Sequence, residues 1–260
     1  MPWVPVLLDA KQVLQQHGRN TPIGVCGQGC IHRLWWKVRW SFGYIWRMRE
    51  RSVRLYLLST TILVVAGFIA TLSLSQLELH QAINRATSPR LDLMFAYGTH
   101  LADGLVPLAL GLVFLFVRWR WFLLMAAGVL GSALVAQLLK RTLFGSIDRP
   151  SMFMAEMPSL RLVPDVEMLH HNSFPSGHST CAFSMCLVLV VILQKPKLAV
   201  AGALLAGMLA FSRVYLSQHF MEDILCGAAI GTITAWSAYR WLYLGPFAQK
   251  AWLDGSLLRR

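Results

Sequence analysis

Long uncharged apolar stretches alternate with short polar connections along most of this chain. The clearest stretch runs from Leu55 to Leu74 without a single charged residue, and it is long enough to cross a bilayer alone. Five further stretches follow it, at about 97–117, 121–139, 175–193, 198–212 and 220–241. The pattern therefore predicts an all-α integral membrane protein, a bundle of six transmembrane helices.

The composition agrees with this prediction. Hydrophobic residues make up 56% of the 260 residues, charged residues only 14%, and the mean hydropathy is +0.52. A soluble domain carries about 25% charged residues. The chain does not open on a short apolar region with basic flank and cleavage site, so no cleaved signal peptide is expected.

The net charge of +12 fits either a nucleic-acid partner or an anionic lipid surface, and its distribution decides between them. With the N-terminus inside, seventeen of the 24 Lys and Arg residues fall on the same side of the membrane as both termini. The positive-inside rule then places both termini in the cytoplasm. We therefore expect no nucleic-acid partner, and three regions: a basic cytoplasmic segment at 1–54, a membrane domain at 55–243 and a short basic tail at 244–260.

The N-terminal segment contains the tryptophan-rich stretch LWWKVRWSFGYIW. It fits an amphipathic helix lying on the inner leaflet and equally a flexible tail attracted to lipid. The cysteines form no disulfide framework. Cys26 and Cys30 are read as part of a solvated loop rather than a metal site, because no second pair of ligands lies nearby. The other three, in apolar stretches, are expected to be buried thiols: Cys181, Cys186 and Cys226.

Three polar clusters fall on the opposite, outer side of the predicted bundle. They are KRTLFGSIDRP at Lys140–Pro150, PSGH at Pro175–His178, and SRVYLSQHFMED at Ser212–Asp223. Each has an ordinary explanation: loop polarity for the first, a turn opening a helix for the second, a helix cap with a surface pair for the third. Their convergence on one face of the membrane favours a shared site.

The basic residues of these clusters suit phosphate chemistry. Arg149 and Arg213 can each grip phosphate oxygens bidentately, and Lys140 can act as a point charge. The backbone N–H groups of Ser176 and Gly177 can donate further hydrogen bonds. These five residues are the candidate phosphate-binding residues.

Two histidines and an aspartate supply the candidate catalytic groups. His219 and Asp223 are four residues apart and would share one face of a helix. The carboxylate can then hold one imidazole nitrogen and leave the other free to attack phosphorus. His178 can protonate the leaving oxygen. Cys/His spacing for a metal is absent and the acidic residues are scattered, so neither metal nor cofactor is expected.

The second and third clusters resemble the signature of the type 2 phosphatidic acid phosphatase (PAP2) superfamily. That signature is K-x6-RP, then PSGH, then SR-x5-H-x3-D. The second and third motifs match in full. The first departs, because eight residues rather than six separate Lys140 from Arg149, and either Lys140 or Arg141 can fill the lysine role. The resemblance covers roughly Leu55 to Trp241.

The resemblance implies a metal-independent enzyme that works through a phosphohistidine. His219 would be the nucleophile, Asp223 its orienting partner and His178 the acid. The phosphate would be bound by the other motif residues: Lys140, Arg149, Ser176, Gly177 and Arg213. By analogy the protein would lie in a bacterial inner membrane with its site facing the periplasm or cell exterior.

The expected depth of the motifs in the membrane favours a lipid substrate. The last three predicted spans have uncharged cores of about 15 to 16 residues, or roughly 24 Å of helix, against a hydrocarbon core about 30 Å thick. The motifs would therefore lie near the depth of lipid phosphates. Candidate substrates are phosphatidic acid, phosphatidylglycerol phosphate, undecaprenyl pyrophosphate and lipid A phosphates. The Met-rich loop between Pro150 and Pro175 either contacts the lipid or packs over the outer helix ends.

Three other functions remain open on the sequence. A phosphotransferase would pass the phosphoryl group from one lipid to another through the same histidine. A vanadium-dependent haloperoxidase has similar motifs but is generally not built from six membrane spans. A non-catalytic transporter or scaffold would not need a complete set of nucleophile, acid and phosphate ligands.

Overall fold

The computed structural model describes the backbone of residues 28–258 and the side chains of residues 47–258, and within them it is helical. The first helix, α1 (Gln28–Ser73), runs without interruption from the basic N-terminal segment through the first apolar stretch. The predicted boundary at residue 54 therefore lies inside α1. Residues 1–27, including Cys26, and the side chains up to residue 46, including Cys30, lie outside the described part.

Two short helices, α2 (Gln76–Arg85) and α3 (Pro89–Gly98), follow α1. The hydroxyl of Ser75 accepts the N–H of Glu78, and the Glu78 carboxylate accepts the N–H of Ser75, a reciprocal cap that defines the start of α2. The Ser88 hydroxyl caps α3 by accepting the N–H of Leu91, and proline takes the first position of that helix, where the missing N–H costs nothing. A 3₁₀ turn (Thr99–Ala102) and the helix α4 (Leu105–Val117) complete this part of the chain.

The remaining helices bear the three polar clusters. Helices α5 (Trp119–Met125) and α6 (Gly131–Thr142) are joined through a π-helical turn at Ala126–Leu130 and end near Lys140. The helices that follow are α7 (Gly177–Leu193), α8 (Pro196–Tyr215) and α9 (Met221–Tyr239). The C-terminal ends of α6 and α8 and the N-terminal ends of α7 and α9 form one end of the bundle, the site end.

Helix length and apolarity support a membrane protein, although they do not reproduce the predicted count of six spans. Within the described residues, three helices are long and apolar enough to cross a membrane: Arg47–Ser73, Trp119–Thr142 and Pro196–Tyr215. A fourth arises if Pro89–Ala102 and Leu105–Val117, which are bent by 42°, count as one span. Helix α7 is apolar but shorter. Each predicted stretch is nonetheless helical.

Helix α7 is the centre of the bundle and packs against both α8 and α9. Glycine permits the closest approach. A Cβ on Gly227 would lie 2.6 Å from the carbonyl oxygen of Ser176, and one on Gly231 would lie 2.3 Å from that of Thr180. Such glycine pairs four residues apart bring helix backbones together in membranes. The starts of α7 and α9 are thereby held side by side.

The loop between Pro150 and Pro175 packs over the site end of the bundle. Met157 and Val163 of this loop are buried against the bundle. The Asn84 side chain bonds both the carbonyl and the N–H of Arg161, whose guanidinium pairs with Asp92. Three apolar side chains remain exposed on the loop: Met152, Met154 and Leu169. One face of this loop therefore packs against the bundle, and the other face presents exposed apolar side chains.

The C-terminal segment packs onto the opposite end of the bundle, the distal end. Leu253 is fully buried, and the N–H of Trp119 donates to the carbonyl of Gly255 at 2.9 Å. The part of the predicted tail that the structure describes is therefore integrated into the bundle. Among the three cysteines expected to be buried, Cys186 is buried and Cys181 and Cys226 are half-buried; all three are free thiols.

Candidate active site

His219 sits in a tight turn between α8 and α9. The N–H groups of Gln218 and His219 both donate to the carbonyl of Arg213, at 2.9 and 3.1 Å. Ser217 adopts a left-handed conformation, with φ of 54°, so the chain reverses within a few residues. This turn places His219 just before α9, where its side chain is almost wholly buried.

Asp223 holds the His219 ring from the first turn of α9. The Nδ1 atom of His219 lies 3.1 Å from Oδ2 of Asp223, and the same oxygen accepts the N–H of Phe220 at 2.9 Å. The predicted pairing is therefore present, but its geometry differs from the expectation: His219 precedes the helix, so the two residues do not share a helical face. With Nδ1 donating to the carboxylate, Nε2 carries the lone pair.

Ser173 completes this arrangement and was not predicted as a site residue. Its side chain is buried, its hydroxyl donates to Oδ2 of Asp223, and its oxygen lies 3.4 Å from Nδ1 of His219. Three donors thus converge on one carboxylate oxygen and hold the Asp223 side chain in place. In the sequence, the only sign of this role is that Ser173 lies two residues before the PSGH motif.

Burial sets the protonation state of His219. Removal from water lowers its pKa to about 4, although the hydrogen bond to Asp223 pulls in the upward direction. The ring is therefore neutral at pH 7, with the Nε2 lone pair available. A neutral imidazole held by a carboxylate can act as a nucleophile.

Arg149 is buried beside the free nitrogen of His219. Its NH1 lies 3.4 Å from Nε2 of His219 and donates to the carbonyl of Gln218 at 2.8 Å. Its Nε donates to the carbonyl of His171 at 2.8 Å. Burial lowers the pKa of Arg149, but a guanidinium remains charged. Main-chain carbonyls thus aim a fixed positive charge at the position where His219 would meet a phosphorus atom.

Arg213 and Lys140 add positive charge to the same region. Arg213 is buried, donates one hydrogen bond to Oγ1 of Thr99 at 3.1 Å, and has its Nε unpartnered within the described residues. Lys140 donates to the carbonyl of Asn172 at 2.9 Å, and its charge interacts with those of Arg149 and Arg213. Three cations held close together repel one another, so they favour a bound anion.

The altered spacing of the first motif does not keep Lys140 from the site. Lys140 is half-buried and bonds the same loop as Arg149, through Asn172. Arg141, the alternative considered from the sequence, is exposed. The placement therefore favours Lys140 for the lysine role.

The PSGH motif forms the N-terminus of α7. The Ser176 hydroxyl accepts the N–H of Ser179, and its own N–H donates to the carbonyl of Asp223 at 3.0 Å. The Ser176 N–H is thus engaged in joining α7 to α9, which differs from the predicted phosphate contact. Gly177 lies at the first position of α7, and a Cβ there would meet no atom within 4 Å. Its N–H at an open helix start can bind an anion.

His178 lies on the first turn of α7 and is half-buried. Arg213 and His219 are close enough to His178 to affect its protonation, and Arg149 lies beside His219, so the three predicted clusters do meet at one end of the bundle. Within residues 47–258, no group of three His, Cys, Asp or Glu side chains is placed to hold a metal ion.

Comparisons with known proteins point to one family. The sequence model of the PAP2 superfamily matches residues 121–245. The lipid A 1-phosphatase of Porphyromonas gingivalis is 37% identical over 71 residues, which are 26% of this chain and 16% of that protein. The chain spans 16% to 42% of the length of the curated relatives it matches.

Two solved structures share the fold. The crystal structure of Aquifex aeolicus LpxE is 27% identical with a TM-score of 0.53, covering 64% of this chain and 94% of that one. A transmembrane PAP2-type phosphatidylglycerolphosphate phosphatase from Bacillus subtilis is 23% identical with the same TM-score, covering 74% and 95%. The matched residues 121–245 contain all eight predicted site residues, and this part of the chain is similar to the PAP2 superfamily.

Proposed function

We propose that this protein is a metal-independent phosphatase that removes phosphate from a membrane lipid phosphate or pyrophosphate. The observation that carries the proposal is the neutral, buried His219, held at Nδ1 by Asp223 and faced at Nε2 by Arg149. Curated relatives named for phosphatase activity on lipid A and on lipid phosphates support the class of reaction. The apolar helices around the site support a substrate that arrives from the bilayer.

In the first step of the proposed mechanism, Nε2 of His219 attacks phosphorus. A phosphorus–nitrogen bond forms as the bond to the lipid oxygen breaks, and His178 donates a proton to that oxygen. The imidazole becomes positively charged, and the Asp223 carboxylate stabilises it. Ser173 and the Phe220 N–H hold the carboxylate in place.

In the second step a water molecule attacks the phosphohistidine. His178, now neutral, takes a proton from the water, and the phosphorus–nitrogen bond breaks to release phosphate and neutral His219. Charge on the phosphoryl oxygens is stabilised by fixed donors throughout: Lys140, Arg149, Arg213 and the N–H of Gly177. The Ser176 side chain caps the start of α7 beside Gly177.

The proposed setting follows from charge and topology. The site would face the periplasm or cell exterior of a bacterial inner membrane, with both termini in the cytoplasm, because seventeen of 24 basic residues lie on the side of the termini. The natural lipid would be one of four: phosphatidic acid, phosphatidylglycerol phosphate, undecaprenyl pyrophosphate or a lipid A phosphate.

The test is phosphate release by the purified protein in detergent from a panel of these four lipids. Release from one of them, abolished in His219→Ala, is the expected result. Release that persists in His219→Ala would overturn the proposed nucleophile. Transfer of phosphate to an acceptor lipid without release would instead favour the phosphotransferase, which uses the same intermediate.

A further inference from the structure

The distal end of the bundle carries a second cluster of basic and aromatic side chains, at the opposite end of α9 from the candidate active site. It contains Arg49 of α1, Arg120 of α5, Tyr239 at the end of α9, and Tyr243 in the π-helical turn that follows (Arg240–Leu244). The guanidinium carbon of Arg49 lies 4.5 Å from the centre of the Tyr243 ring, and that of Arg120 lies 5.2 Å from it. The two tyrosine rings are 5.5 Å apart.

Three polar atoms in this cluster are buried without a hydrogen-bond partner among the described side chains and backbone. They are Nε of Arg49 and the hydroxyls of Tyr239 and Tyr243. Tyr239 itself is 97% buried, since only 3% of its surface is exposed. A buried donor left without an acceptor is costly, and three of them in one place indicate an acceptor that the protein itself does not provide.

The charge of the cluster indicates that this acceptor is an anion. Asp254 is the carboxylate in contact with it, and Arg120 already occupies both of its oxygens, at 3.0 Å each. Arg118 also lies 3.8 Å from Asp254. The carboxylate of Glu50 is bonded to Arg54 on the surface of α1. Among the described residues neither carboxylate forms an ion pair with Arg49, although the charge of Glu50 also acts on Tyr239.

The surrounding aromatic residues place the cluster at the depth of lipid headgroups. Trp241 and Trp252 are about half exposed, and each packs against Phe247. Exposed tryptophans of this kind mark the interface between membrane and water. Phosphate groups of the lipids of that leaflet lie at the same level.

We propose that Arg49, Tyr239 and Tyr243 form a binding site for a phosphate-bearing anion at the distal end of the bundle. Arg49 supplies the charge and the Nε–H donor, and the two hydroxyls donate further hydrogen bonds to the phosphate oxygens. The source of the phosphate is either an anionic phospholipid of the distal leaflet or free phosphate. The site tethers α1 to α9 and stabilises the fold, and it takes no part in the proposed reaction.

The first test measures thermal unfolding of the full chain, purified in a non-ionic detergent, with added phosphatidylglycerol, phosphatidylcholine or inorganic phosphate. We expect phosphatidylglycerol, inorganic phosphate or both to raise the Tm by roughly 5 to 10 °C at saturation. Arg49→Gln should lose at least half of that rise. The matched control is Arg51→Gln, an exposed arginine on the same helix, which should keep it.

The comparison of variants separates this site from others. Inorganic phosphate also fits the candidate active site, so only the part of the rise that Arg49→Gln loses belongs to the distal site. Loss of the phosphatidylglycerol effect alone identifies the lipid as the source, and loss of the inorganic phosphate effect identifies the free ion. An equal rise in Arg49→Gln and wild type, or no rise with any addition, would overturn the proposal.

A second variant avoids the risk that Arg49→Gln fails to fold. Tyr239→Phe removes only the unpartnered hydroxyl. Without an anion its Tm should equal or exceed that of wild type, because a buried unsatisfied group is lost. With the anion its Tm rise should be smaller than in wild type. A lower Tm without the anion would show that the hydroxyl already has a partner in the protein, which contradicts the proposal.

Discussion

The two ends of the bundle both gather arginines, but they use their carboxylates differently. At the distal end, Arg120 donates to both oxygens of Asp254 and to the carbonyls of Leu242 and Ala248. At the site end, Asp223 accepts from His219, Ser173 and a backbone N–H, and from no arginine.

The two carboxylates therefore differ in role: Asp254 stabilises the fold, and Asp223 supports the proposed reaction. A carboxylate paired with arginine neutralises it and joins two segments of the chain. A carboxylate paired with imidazole leaves the neighbouring arginines without a counter-ion and keeps the ring oriented. The comparison predicts that variants at the site end lose reaction rate and variants at the distal end lose stability.

The largest expected effect is that of His219→Ala. Removing the proposed nucleophile should lower phosphate release by about 10⁴-fold or more, as for other covalent catalysts, with a Tm close to that of wild type. The measurement is turnover on the preferred lipid together with thermal unfolding. A variant that unfolds as it loses activity would place His219 among the structural residues instead.

The pH dependence of the rate should follow the protonation of His219. With its pKa lowered to about 4, His219 carries a lone pair above that pH, and the rate should fall as the pH drops through about 4. His178 must be protonated to act as the acid, so the rate should also fall as the pH rises above the pKa of His178, which burial lowers from the usual value of a histidine. If the rate already halves near pH 6.5 as the pH is lowered, the imidazole of His219 is exposed to water, which contradicts its burial in the bundle.

Asp223→Asn should lower the rate by about 10³-fold, because the orientation and charge stabilisation of His219 are lost. It should also move the acidic limb of the pH profile to lower pH. The sign follows from the hydrogen bond to Asp223, which raises the pKa of His219; removing it leaves burial to lower that pKa further. A limb that moves to higher pH would contradict this coupling.

Arg120→Met should produce the opposite pattern at the distal end. Removing the buried guanidinium, which donates to Asp254 and to the carbonyls of Leu242 and Ala248, should cost about 3 kcal/mol of stability, while turnover per folded molecule stays within about twofold of wild type. Denaturant unfolding and turnover, measured on the same preparation, provide the check. A fall in turnover with unchanged stability would break the distinction between the two ends.

The smallest expected loss of rate among the variants at the site end is that of Ser173→Ala, about tenfold. The remaining donors still hold Asp223, so the loss corresponds to one hydrogen bond of about 1.5 kcal/mol to a charged group. Ser173→Thr, which keeps the hydroxyl, should recover most of the rate. If both variants behave alike, Ser173 acts through packing rather than through its hydrogen bond.

The candidate site shows how far reasoning from the sequence extends. Motif order and helix direction predicted that Arg149, His178 and His219 would meet, because each follows or precedes a span at the same end. Ser173 could not be identified, because a serine before a turn has no distinguishing local pattern. The engagement of the Ser176 N–H depends on where α9 lies relative to α7, which local sequence does not specify.

The sequence by itself determined the helical membrane architecture, the family resemblance and the residue types of the site, since these depend on local apolarity and on spacing along the chain. Tertiary structure decided the rest. The glycines at 227 and 231 let α9 approach α7 closely enough for Asp223 to meet Ser173 and Ser176. Burial then lowered the pKa of His219, an effect that exists only once the surrounding helices exclude water.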